Sequence, residues 1–483
     1  MIWPLPQHRP EVVELVGYSD RRGDMTSVEV RDPVHGLVQL LPHEWDVVDS
    51  AAFQRLRRVQ QLAMTHLVYP GARHSRFEHC IGACHVGAGL ADAINRGQGE
   101  QVIDVRKVRA AALCHDLGHG PFSHVSESVY EILTAGHNIH EKISAGIVRH
   151  HNAIRQALGE DTAEWVAQLL EGSGHGTERS IERDIVAGPA DVDKLDYLLR
   201  DSHFCGVSYG RFDIHKVVES ARRGADETGS VLAFHRDGIY AVEELLLARH
   251  HMHRQVYGHK TRVATDQMLI RAMIFGVEEG LLPRDVFAPP VDIDADYVSE
   301  YLVWDDSAVI NRLAPAPESS RAGQVMRALM ERRLLRRSID ITLEDLKREA
   351  GQRLAVDALL PQSLPRDAVA DAEEQIAEAS GMDPLWVSLH WENLQSPLRA
   401  TDPSTSDDKL VYIVDDHGRM ENLEDVSEIF GQPSVGGKQT VAVYLRPNPE
   451  TWNKALEESV KEVAVAAVIG IAQAARRPRG GTQ

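Results

Sequence analysis

A histidine and an aspartate stand side by side at His115 and Asp116, inside the run ALCHDLGHGPFSH at residues 112–124. Neighbouring residues do not share one face of a helix, so these two side chains can meet at one centre only where a helix ends. A divalent metal is the commonest reason to bring an imidazole and a carboxylate together in this way. The pair therefore predicts a helix that ends at a metal centre, and this constrains the fold more than any other feature of the chain.

Two further ligand candidates lie elsewhere in the sequence. His79 is 36 residues before His115, and Asp193 is 77 residues after Asp116. Together the four residues offer two nitrogen and two oxygen ligands. Such a set suits a borderline-to-hard divalent ion, so we expect Mn, Mg, Fe or Zn as the cofactor, and the residue types do not choose among them.

A helix start is predicted just before His79. Ser75 and Glu78 fit a capping box, with Ser75 as the N-cap residue. Arg76 then occupies the first helical position, where its guanidinium can reach phosphate oxygens and the helix dipole adds positive potential. A lone histidine at such a place is more often structural, but beside the other three candidates His79 is interpreted as a metal ligand.

The segment DVDKLDYLLRD at residues 191–201 carries one polar stripe. Asp193, Tyr197 and Asp201 are spaced four residues apart and share a helical face. An ordinary amphipathic helix with a charged outer face would show the same pattern. Next to the paired histidine and aspartate, the stripe is better explained as a metal ligand, a phenol and a carboxylate that follow the metal, sugar ring and sugar hydroxyl of a nucleotide.

Histidines are concentrated just after the metal pair. Seven of the 24 histidines fall within residues 115–151, namely His115, His119, His124, His137, His140, His150 and His151. Imidazoles with a pKa near neutrality can donate protons or contact phosphates. His119 and His124 lie in the loop that leaves the metal, whereas His137, His150 and His151 are expected to be structural or at the surface.

Composition limits the partners. The net charge of -20 argues against a mainly electrostatic grip on nucleic acid, so any phosphate affinity must be built locally. Four cysteines are too few for a disulfide scaffold in 483 residues and indicate a reducing, cytoplasmic environment. We expect no signal peptide, because Pro4 and Pro6 interrupt residues 1–9. We also expect no membrane span, because the longest apolar stretch, at residues 463–472, is about half the length that a bilayer requires.

The periodicity of the chain predicts a mainly α fold: a helical core with short β-hairpins and a smaller C-terminal α+β subdomain. The expected units are an N-terminal extension (1–27), a catalytic domain (28–290), a helical subdomain (291–380), a small α+β subdomain (381–450) and a C-terminal helix with its tail (451–483). Hairpins are expected at residues 27–40 and again at residues 231–239, where Asp237 and Gly238 form a turn signal.

Several long motifs resemble the HD-domain deoxynucleoside triphosphate triphosphohydrolases, including the catalytic core of the animal enzyme that carries a sterile-alpha-motif domain. They are VRDPVHG at residues 30–36, FQRLR at 53–57, YPGARHSRFEH at 69–79, the two runs quoted above, and HRQVYGHK at 253–260. The likeness is close over residues 28–275 and holds in outline over 290–450. It implies an HD fold and hydrolysis of a dNTP to a deoxynucleoside and tripolyphosphate.

The resemblance also implies roles for individual residues. The metal ligands fall on His79, His115, Asp116 and Asp193. His124 falls at the leaving 5′-oxygen as general acid, with Glu127 orienting it. The remaining positions match substrate contacts: His119 and His140 for the α-phosphate, Arg76 and Lys194 for the polyphosphate, Tyr197, Asp201 and Gln61 for the sugar, and Leu62 and Tyr257 for exclusion of a ribose 2′-hydroxyl.

Regulation is a further implication of the resemblance. Relatives of this kind are activated by nucleotides that bind between subunits and drive tetramer assembly, and Asp49, Gln54 and Arg57 match the residues that read guanine there. A dGTP or other dNTP activator and a homotetramer are thus expected. Val28 and Arg31 stand where the animal enzyme has lysine and asparagine, so the first hairpin departs from the pattern. A charged helix surface would explain the three matched residues equally well.

Two other functions fit the same residues. One keeps the metal centre and changes the substrate, giving a phosphodiesterase or phosphatase that acts on another nucleotide or on a nucleic-acid end. The other is a nucleotide-sensing assembly protein whose oligomeric state is its output. The complete set of four ligand candidates favours an enzyme, because proteins that lose activity commonly lose a ligand.

Overall fold

The computed structural model describes residues 27–134, 139–172, 179–227, 229–359, 365–392, 410–430 and 440–475. Within these ranges helices dominate and the strands form small sheets, so the predicted mainly α fold with short hairpins is confirmed. The expected N-terminal extension lies almost entirely outside the described residues, as do His137 and the final tail. No helix in the described part of the chain has both the length and the apolar character needed to cross a bilayer.

The helices are, in chain order, α1 (Pro42–Val48), α2 (Ala51–Arg55), α3 (Arg76–Gln98), α4 (Val105–Cys114), α5 (His124–Thr134), α6 (Ile139–His150), α7 (Asn152–Leu158), α8 (Glu160–Glu171), α9 (Ile181–Ala187), α10 (Val192–Cys205), α11 (Ile214–Glu219), α12 (Ile239–Met252), α13 (Lys260–Glu278), α14 (Arg284–Phe287), α15 (Ala295–Tyr301), α16 (Asp306–Leu313), α17 (Arg321–Met330), α18 (Leu343–Leu359), α19 (Arg366–Ser380), α20 (Leu423–Val426) and α21 (Lys454–Ala475). Short 3-10 turns span Leu56–Arg58, Thr65–Leu67, Arg236–Gly238 and Pro384–Trp386, and a π-turn spans His253–Tyr257.

The strands are β1 (Val28–Asp32), β2 (Gly36–Leu40), β3 (Ala221–Asp226), β4 (Gly229–His235), β5 (Arg336–Thr342), β6 (Val387–Glu392), β7 (Tyr412–Val414), β8 (Met420–Asn422) and β9 (Thr440–Leu445). β1 and β2 form an antiparallel hairpin. The other two sheets have the strand orders β3-β4-β7-β8 and β5-β9-β6.

Helix α3 runs between two apolar clusters and is buried on both sides. Cys80 and Cys84 pack into one apolar cluster, which includes residues of α4, α6 and α13. Val86 and Leu90 pack into a second cluster, which includes residues of α10 and α12. A helix that is apolar nearly all round is stable only in such a position, and its polar residue His79 is therefore held in a dry interior.

The ends of three helices bring the ligand candidates together. Ser75 caps α3 and forms the predicted capping box with Glu78, so His79 lies one turn inside the helix. Helix α4 ends at Cys114, and its C-cap residue is His115. Asp191 caps α10 through the backbone N–H of Lys194, which places Asp193 in the first turn. The predicted helix end at the histidine–aspartate pair is thus present.

The second hairpin was placed wrongly at residues 231–239. The hairpin is formed by β3 and β4 instead, with Asp226 paired to Gly229 at its turn. Arg236–Gly238 is a 3-10 turn that leads directly into α12. Strand β3, with the sequence ARRGAD, has no apolar alternation, and it is held in place by pairing with the apolar β4 rather than by its own pattern.

The helical and α+β subdomains expected at residues 291–380 and 381–450 do not follow one another as two separate units. Strand β5 lies within residues 291–380, and it pairs with β9 while β9 pairs with β6. Strands β7 and β8 extend the sheet of β3 and β4, with β7 parallel to β4. Residues 381–450 therefore contribute to two sheets, because strands distant in sequence find their partners only in the tertiary structure.

The sheet of β5, β9 and β6 has a core of its own. Helices α18, α19 and α21 pack on it, and their apolar residues form a separate cluster with those of the strands. The stretch at residues 463–472, expected as a docking C-terminal helix, lies within α21 and has buried Val465, Val468 and Ile471 in this cluster.

Helices α3 and α10 approach each other closely at Gly82. A Cβ atom on this residue would overlap the Asp196 carboxylate and the Arg200 guanidinium on α10. Gly87, one turn further along the same helix, has ordinary contact distances to Ala112 and Val108, the nearest being 3.4 Å. The neighbouring helix therefore requires a glycine at position 82 but not at position 87.

We predict that Gly82→Ala lowers the free energy of unfolding by about 2 kcal/mol or more, because the added methyl group displaces a buried ion pair. Gly87→Ala is the matched control and is expected to be neutral or to stabilise by up to about 1 kcal/mol, since alanine is the better helix former. Urea unfolding of both variants measures the difference. Equal effects at the two positions would contradict the close approach of α3 and α10.

Candidate functional site

The four predicted ligand residues converge at one point. The ligand atoms of His79, His115, Asp116 and Asp193 all lie within 4.8 Å of one another. His79 Nε2 is 3.3 Å from His115 Nε2 and 3.0 Å from Asp193 Oδ1, and His115 Nε2 is 3.2 Å from Asp116 Oδ1. Three of the side chains are buried, and Asp193 is partly open to solvent.

The outer nitrogens of the two histidines are already engaged. His79 Nδ1 lies 2.7 Å from Asp196 Oδ2, and His115 Nδ1 lies 2.8 Å from the carbonyl oxygen of Ala112. Both acceptors require a proton on Nδ1, so in the neutral rings both Nε2 atoms present lone pairs to the same point. Two facing lone pairs and two carboxylates fit a divalent cation, and these four residues would hold it.

A negative environment surrounds the histidine of α3. Burial lowers the pKa of His79. Asp116, Asp193 and Asp196 raise it by more, so the pKa lies well above the usual value of a histidine. The carboxylates thus favour positive charge at this place, whether a proton or a metal ion supplies it.

Asp196 binds the outer nitrogen of His79, on the side of the ring away from the ligand cluster. It is fully buried, and besides His79 it contacts His35 Nε2 at 2.6 Å. Arg200 donates to both of its oxygens at 2.8 Å and also to Asp32 at 2.8 Å. Burial raises the pKa of Asp196, and Arg200 together with the two histidines lowers it well below its usual range. The residue remains ionised and fixes the orientation of His79.

A second group of side chains lies beside the metal ligands and centres on Glu127. His140 Nδ1 is 2.7 Å from this carboxylate, His119 Nδ1 is 3.2 Å away and His124 Nδ1 is 3.1 Å away. Burial would raise the pKa of Glu127, but His124, His119 and His140 lower it well below its usual value. The structure thus brings together the predicted general acid, the residue predicted to orient it and the two histidines predicted to contact the α-phosphate.

The histidines of this group differ in environment. His119 and His140 stack with ring centroids 4.3 Å apart, and His119 Nε2 is 3.3 Å from Asp116 Oδ1. Burial and the nearby Arg76 lower the pKa of His119 to about 3, so it is neutral. Burial lowers the pKa of His140, but Glu127 raises it more, and the net change is upward. The side chain of His124 is 63% exposed, which leaves it open to a ligand.

Arg76 links the two groups. Its guanidinium is buried and contacts the Asp116 carboxylate, donates to Ser123 Oγ at 2.9 Å, and lies 3.4 Å from His124 Nε2. The predicted phosphate contact therefore lies between a metal ligand and the predicted general acid. A cation at this position is suited to an anion bound on the metal.

The residues predicted to contact the sugar form a third group. Asp201 is buried, and its two oxygens contact His74 Nε2 at 2.7 Å and the hydroxyl of Tyr257 at 2.6 Å. The rings of Tyr197 and Tyr257 lie 6.2 Å apart. Gln61 is joined to this group because its backbone N–H donates to the carbonyl of His74 at 3.1 Å.

An unsatisfied polar atom marks the same group. Gln61 Oε1 is buried and makes no hydrogen bond within the described residues. Buried polar atoms are rarely left without a partner, so this amide oxygen is suited to accept a hydrogen bond from a bound hydroxyl. Leu62 beside it is buried as well.

The predicted polyphosphate contact Lys194 is turned back along α10. Its Nζ atom donates to Asp191 at 2.6 Å and to the carbonyl of Gly188 at 3.0 Å. The structure does not bring this ammonium group into contact with the four ligands. A bound polyphosphate would have to compete with Asp191 for it.

Sequence analysis missed several residues of the site. His35, His74, Asp196 and Arg200 have partners 127 to 168 positions away or lie on the apolar side of the predicted stripe, so spacing alone gave no signal. Arg249 was also missed: its Nε atom is buried without a hydrogen-bond partner in the described chain, and its charge lowers the pKa of Tyr197 against the effect of burial. The run ARHHMHR in which it lies is visibly basic.

Of the three residues predicted to read a guanine, Asp49 and Arg57 are exposed and Gln54 is half-buried. Asp49 is the exposed C-cap residue of α1. Arg57 donates from Nε to Gln54 Oε1 at 2.8 Å, and its guanidinium stacks over the ring of Phe77 at 3.4 Å. Gln54 is tied in turn to the carbonyl of Val48 at 2.8 Å.

Comparison with family models divides the chain into two matched regions. An HD domain matches residues 76–201, and the HD associated region matches residues 212–431. The HD domain match contains all four ligand candidates.

Curated relatives are similar over parts of the chain. An uncharacterised protein of Methanocaldococcus jannaschii is 34% identical over 250 residues, covering 52% of this chain and 50% of the relative. A deoxynucleoside triphosphate triphosphohydrolase SAMHD1 homolog of Dictyostelium discoideum is 35% identical and covers 53% and 50%, and SAMHD1 of Gallus gallus is 27% identical and covers 92% and 75%. The chain thus spans about half the length of the first of these relatives.

A solved structure shares the fold. A phosphohydrolase from Bacteroides thetaiotaomicron superposes with a TM-score of 0.64 at 24% identity, covering 87% of this chain and 99% of that one. At this level of identity the likeness concerns the fold alone and not the substrate.

We predict that Asp116→Ala abolishes metal retention and turnover together, because one of four ligands is lost and Arg76 loses its buried partner. Metal content per chain, measured by inductively coupled plasma mass spectrometry after dialysis, is the test. Asp92→Ala on the same helix as His79 is the control for a lost carboxylate outside the centre. Stoichiometric metal in Asp116→Ala would refute the ligand assignment.

Proposed function

Because this chain belongs to the HD-domain proteins, with an HD domain followed by the HD associated region, we propose that it is a metal-dependent dNTP triphosphohydrolase. One observation carries the proposal: the ligand cluster is joined through Arg76 to the His124–Glu127 pair, and the helix that bears Asp193 also bears Asp201 of the Gln61–Asp201–Tyr257 group. The first arrangement suits cleavage of a phosphate ester, and the second suits recognition of a sugar. The names of the SAMHD1 relatives support the same substrate class.

The proposed reaction is attack of water on the α-phosphorus of a dNTP. When bound at His79, His115, Asp116 and Asp193, a divalent ion such as Mn, Mg, Fe or Zn would polarise a phosphate oxygen and make water more acidic. The bond between phosphorus and the 5′-oxygen breaks, and the products are a deoxynucleoside and tripolyphosphate. The leaving oxygen must gain a proton, so the site needs a general acid.

His124 is the proposed general acid. Its Nδ1 atom donates to Glu127, which is ionised and fixes the orientation of the ring. Its exposure leaves the other nitrogen able to face a substrate. Glu127 also lies against His140, whose raised pKa favours its protonated form, and this ring and the neutral His119 stacked on it would contact the α-phosphate.

Arg76 is proposed to neutralise the phosphates. Its contacts with Asp116 and Ser123 hold the guanidinium at the edge of the ligand cluster, where developing negative charge is greatest. Lys194 would join it only after leaving Asp191. Arg249 on α12 is a further positive group in this region, close to Tyr197.

Sugar selection is proposed to depend on shape and on hydrogen bonds. Asp201 and Gln61 would bind the 3′-hydroxyl, with Tyr197 beside the ring. Leu62 and Tyr257 would occupy the space that a ribose 2′-hydroxyl needs. Tyr257 is well placed for this because its hydroxyl is held by Asp201 and its ring lies against His253, with centroids 5.1 Å apart.

Activation by a nucleotide is the regulatory part of the proposal. Asp49, Gln54 and Arg57 form a surface that could read a guanine, and the contact of Arg57 with Gln54 preorganises two of the three side chains. A dGTP or other dNTP bound there would bridge copies of the chain in a homotetramer. The departure at Val28 and Arg31 indicates that the contacts of the first hairpin differ from those in relatives.

We predict that metal-replete protein converts dATP to deoxyadenosine and tripolyphosphate, and that ATP is cleaved at least about tenfold more slowly because the 2′-hydroxyl meets Leu62 and Tyr257. Phosphorus NMR and chromatography of reactions with single and mixed dNTPs give the products. Activity that appears only in mixtures containing dGTP would support the activator surface.

Asp116→Ala is the inactive control for that assay, and Tyr257→Ala tests the sugar gate. Orthophosphate or pyrophosphate as product would favour a phosphatase or phosphodiesterase instead. Equal rates for ATP and dATP in the unaltered protein would refute sugar selection. A change of mass with dGTP but no product would favour a nucleotide-sensing assembly protein.

We further predict that His124→Ala keeps stoichiometric metal and dNTP binding while kcat falls roughly a hundredfold or more, the usual scale for loss of a general acid. His150→Ala, which removes a histidine at the end of α6, is the matched control. An unchanged rate in His124→Ala would move the acid role to another group, with His140 the next candidate.

A further inference from the structure

The loop that joins Asp116 to α5 has a strained backbone. Phe122 and Ser123 have φ angles of 61° and 56°, in the left-handed region that bulky residues rarely adopt. His124 follows directly as the first residue of α5. The direction of the His124 side chain therefore depends on keeping two unfavourable backbone conformations, and some other part of the fold must stabilise them.

A buried carboxylate outside the HD domain contacts this strained point. Asp306, the first residue of α16, accepts a hydrogen bond from the backbone N–H of Phe122 at 2.6 Å through Oδ1. Through Oδ2 it accepts one from the backbone N–H of Gln60 at 3.0 Å. Its side chain is nearly inaccessible, and burial raises its pKa to about 7. A carboxylate is held here although its surroundings disfavour the charge.

The two hydrogen bonds close a ring around the strained loop. Ser123 Oγ donates to the carbonyl of Gln60 at 2.6 Å and accepts from Arg76 Nε at 2.9 Å. Gln60 is thus fixed on both sides, by Asp306 through its N–H and by Ser123 through its carbonyl. Gln61, proposed to contact the sugar, is the next residue. One carboxylate therefore sets the relative position of the His124 loop and the Gln61 segment.

The other end of the loop is held from the same part of the chain. The hydroxyl of Tyr301, the last residue of α15, donates to the carbonyl of Gly118 at 2.6 Å. Arg55 donates to the carbonyl of His119 at 2.9 Å and to that of Trp304 at 2.7 Å, and its guanidinium lies over the Tyr301 ring. Residues 301–306 thus hold both ends of the loop that leaves the metal ligands.

We propose that Asp306, with Tyr301, is a positioning residue of the reaction: the pair holds the loop at residues 118–123 in the strained form that directs His124 toward the leaving group. The inference rests on the proposed function of His124 as general acid. Tyr301 and Asp306 would act on the reaction only through this loop, since they do not belong to the ligand cluster. The inference thus assigns a specific role to a segment of the HD associated region.

The two oxygens of an ionised carboxylate are what the arrangement requires. Each faces an N–H donor, so neither oxygen can carry a proton or an NH2 group without opposing a donor. Asp306→Asn keeps the size of the side chain and loses one acceptor. Tyr301→Phe removes a single oxygen and keeps the ring. Asp305→Asn is the matched control, because Asp305 is equally buried and adjacent but caps α16 and pairs with Arg58 instead of contacting the loop.

The experiment compares two substrates that differ only in the leaving atom: dATP and its analogue with sulfur in place of the bridging 5′-oxygen. An alkoxide needs a proton as it leaves, whereas a thiolate leaves without one. Misdirection of His124 should therefore affect dATP alone. We expect Asp306→Asn to lower kcat for dATP roughly a hundredfold, the scale of a misplaced catalytic group, with the sulfur analogue changed by less than about threefold.

Tyr301→Phe should show the same selective loss at a smaller scale, and His124→Ala provides the reference pattern. Asp305→Asn should leave the ratio of the two rates unchanged. Equal losses on both substrates in Asp306→Asn and in Tyr301→Phe would overturn the inference, since they would show a general structural effect. No loss in either variant would overturn it as well. If Asp306→Asn does not fold, Tyr301→Phe is judged by the same criterion.

A readout without turnover separates this inference from the proposed function. The imidazole signals of His124 in NMR spectra of the metal-replete protein report the loop directly. They should shift in Asp306→Asn and Tyr301→Phe and remain in place in Asp305→Asn. If the unaltered protein does not cleave dATP, the proposed function fails, while these signals still decide whether Asp306 and Tyr301 position His124. Unshifted signals in both variants refute the inference.

Discussion

The rest of the site depends on the contacts of the Asp196 carboxylate. It lies on α10, orients His79 on α3, and is held by Arg200, which also binds Asp32 at the end of β1. Three elements distant in sequence are thereby joined by one buried charge network. Taking such charges out of water is costly and adds little net stability, so the network is better understood as a device that fixes geometry. Gly82 allows it, because only a residue without a side chain leaves room for it between α3 and α10.

The same network explains why the ligand cluster is suited to a cation. His79 and His115 donate outward through Nδ1, which directs both Nε2 lone pairs inward. Asp116 and Asp193 add negative charge at the same point. Arg76 offsets part of that charge from one side only, since it contacts Asp116 and extends toward His124. Positive charge is thus supplied at one edge of the cluster, and the centre itself remains negative.

The convergence of the four ligand candidates, the main helices and the first hairpin could be predicted from the sequence because each leaves a local signal. The capping box at Ser75 and Glu78 is one, and the histidine–aspartate pair at a helix end is another. Strand β3 and the pairing of β5 with β9 could not be predicted, since their stability comes from partners far along the chain. The roles of His35, His74 and Asp306 could not be predicted for the same reason. Each is identified by a partner 127 to 184 positions away, not by its neighbours.

The position of Asp306 also shows why the boundary between the two matched regions is not a boundary in the physical structure. Helices α15 and α16 belong to the HD associated region, yet Tyr301 and Asp306 bind the backbone of the loop that leaves the metal ligands. Strands β7 and β8 likewise complete a sheet begun by β3 and β4. The HD segment supplies the side chains that could bind a metal. The conformation of its loop at residues 118–123 is fixed only when the following region packs against it. A strained loop of this kind is stable only if its surroundings hold it, so the conformation of residues 115–124 is a property of both regions together.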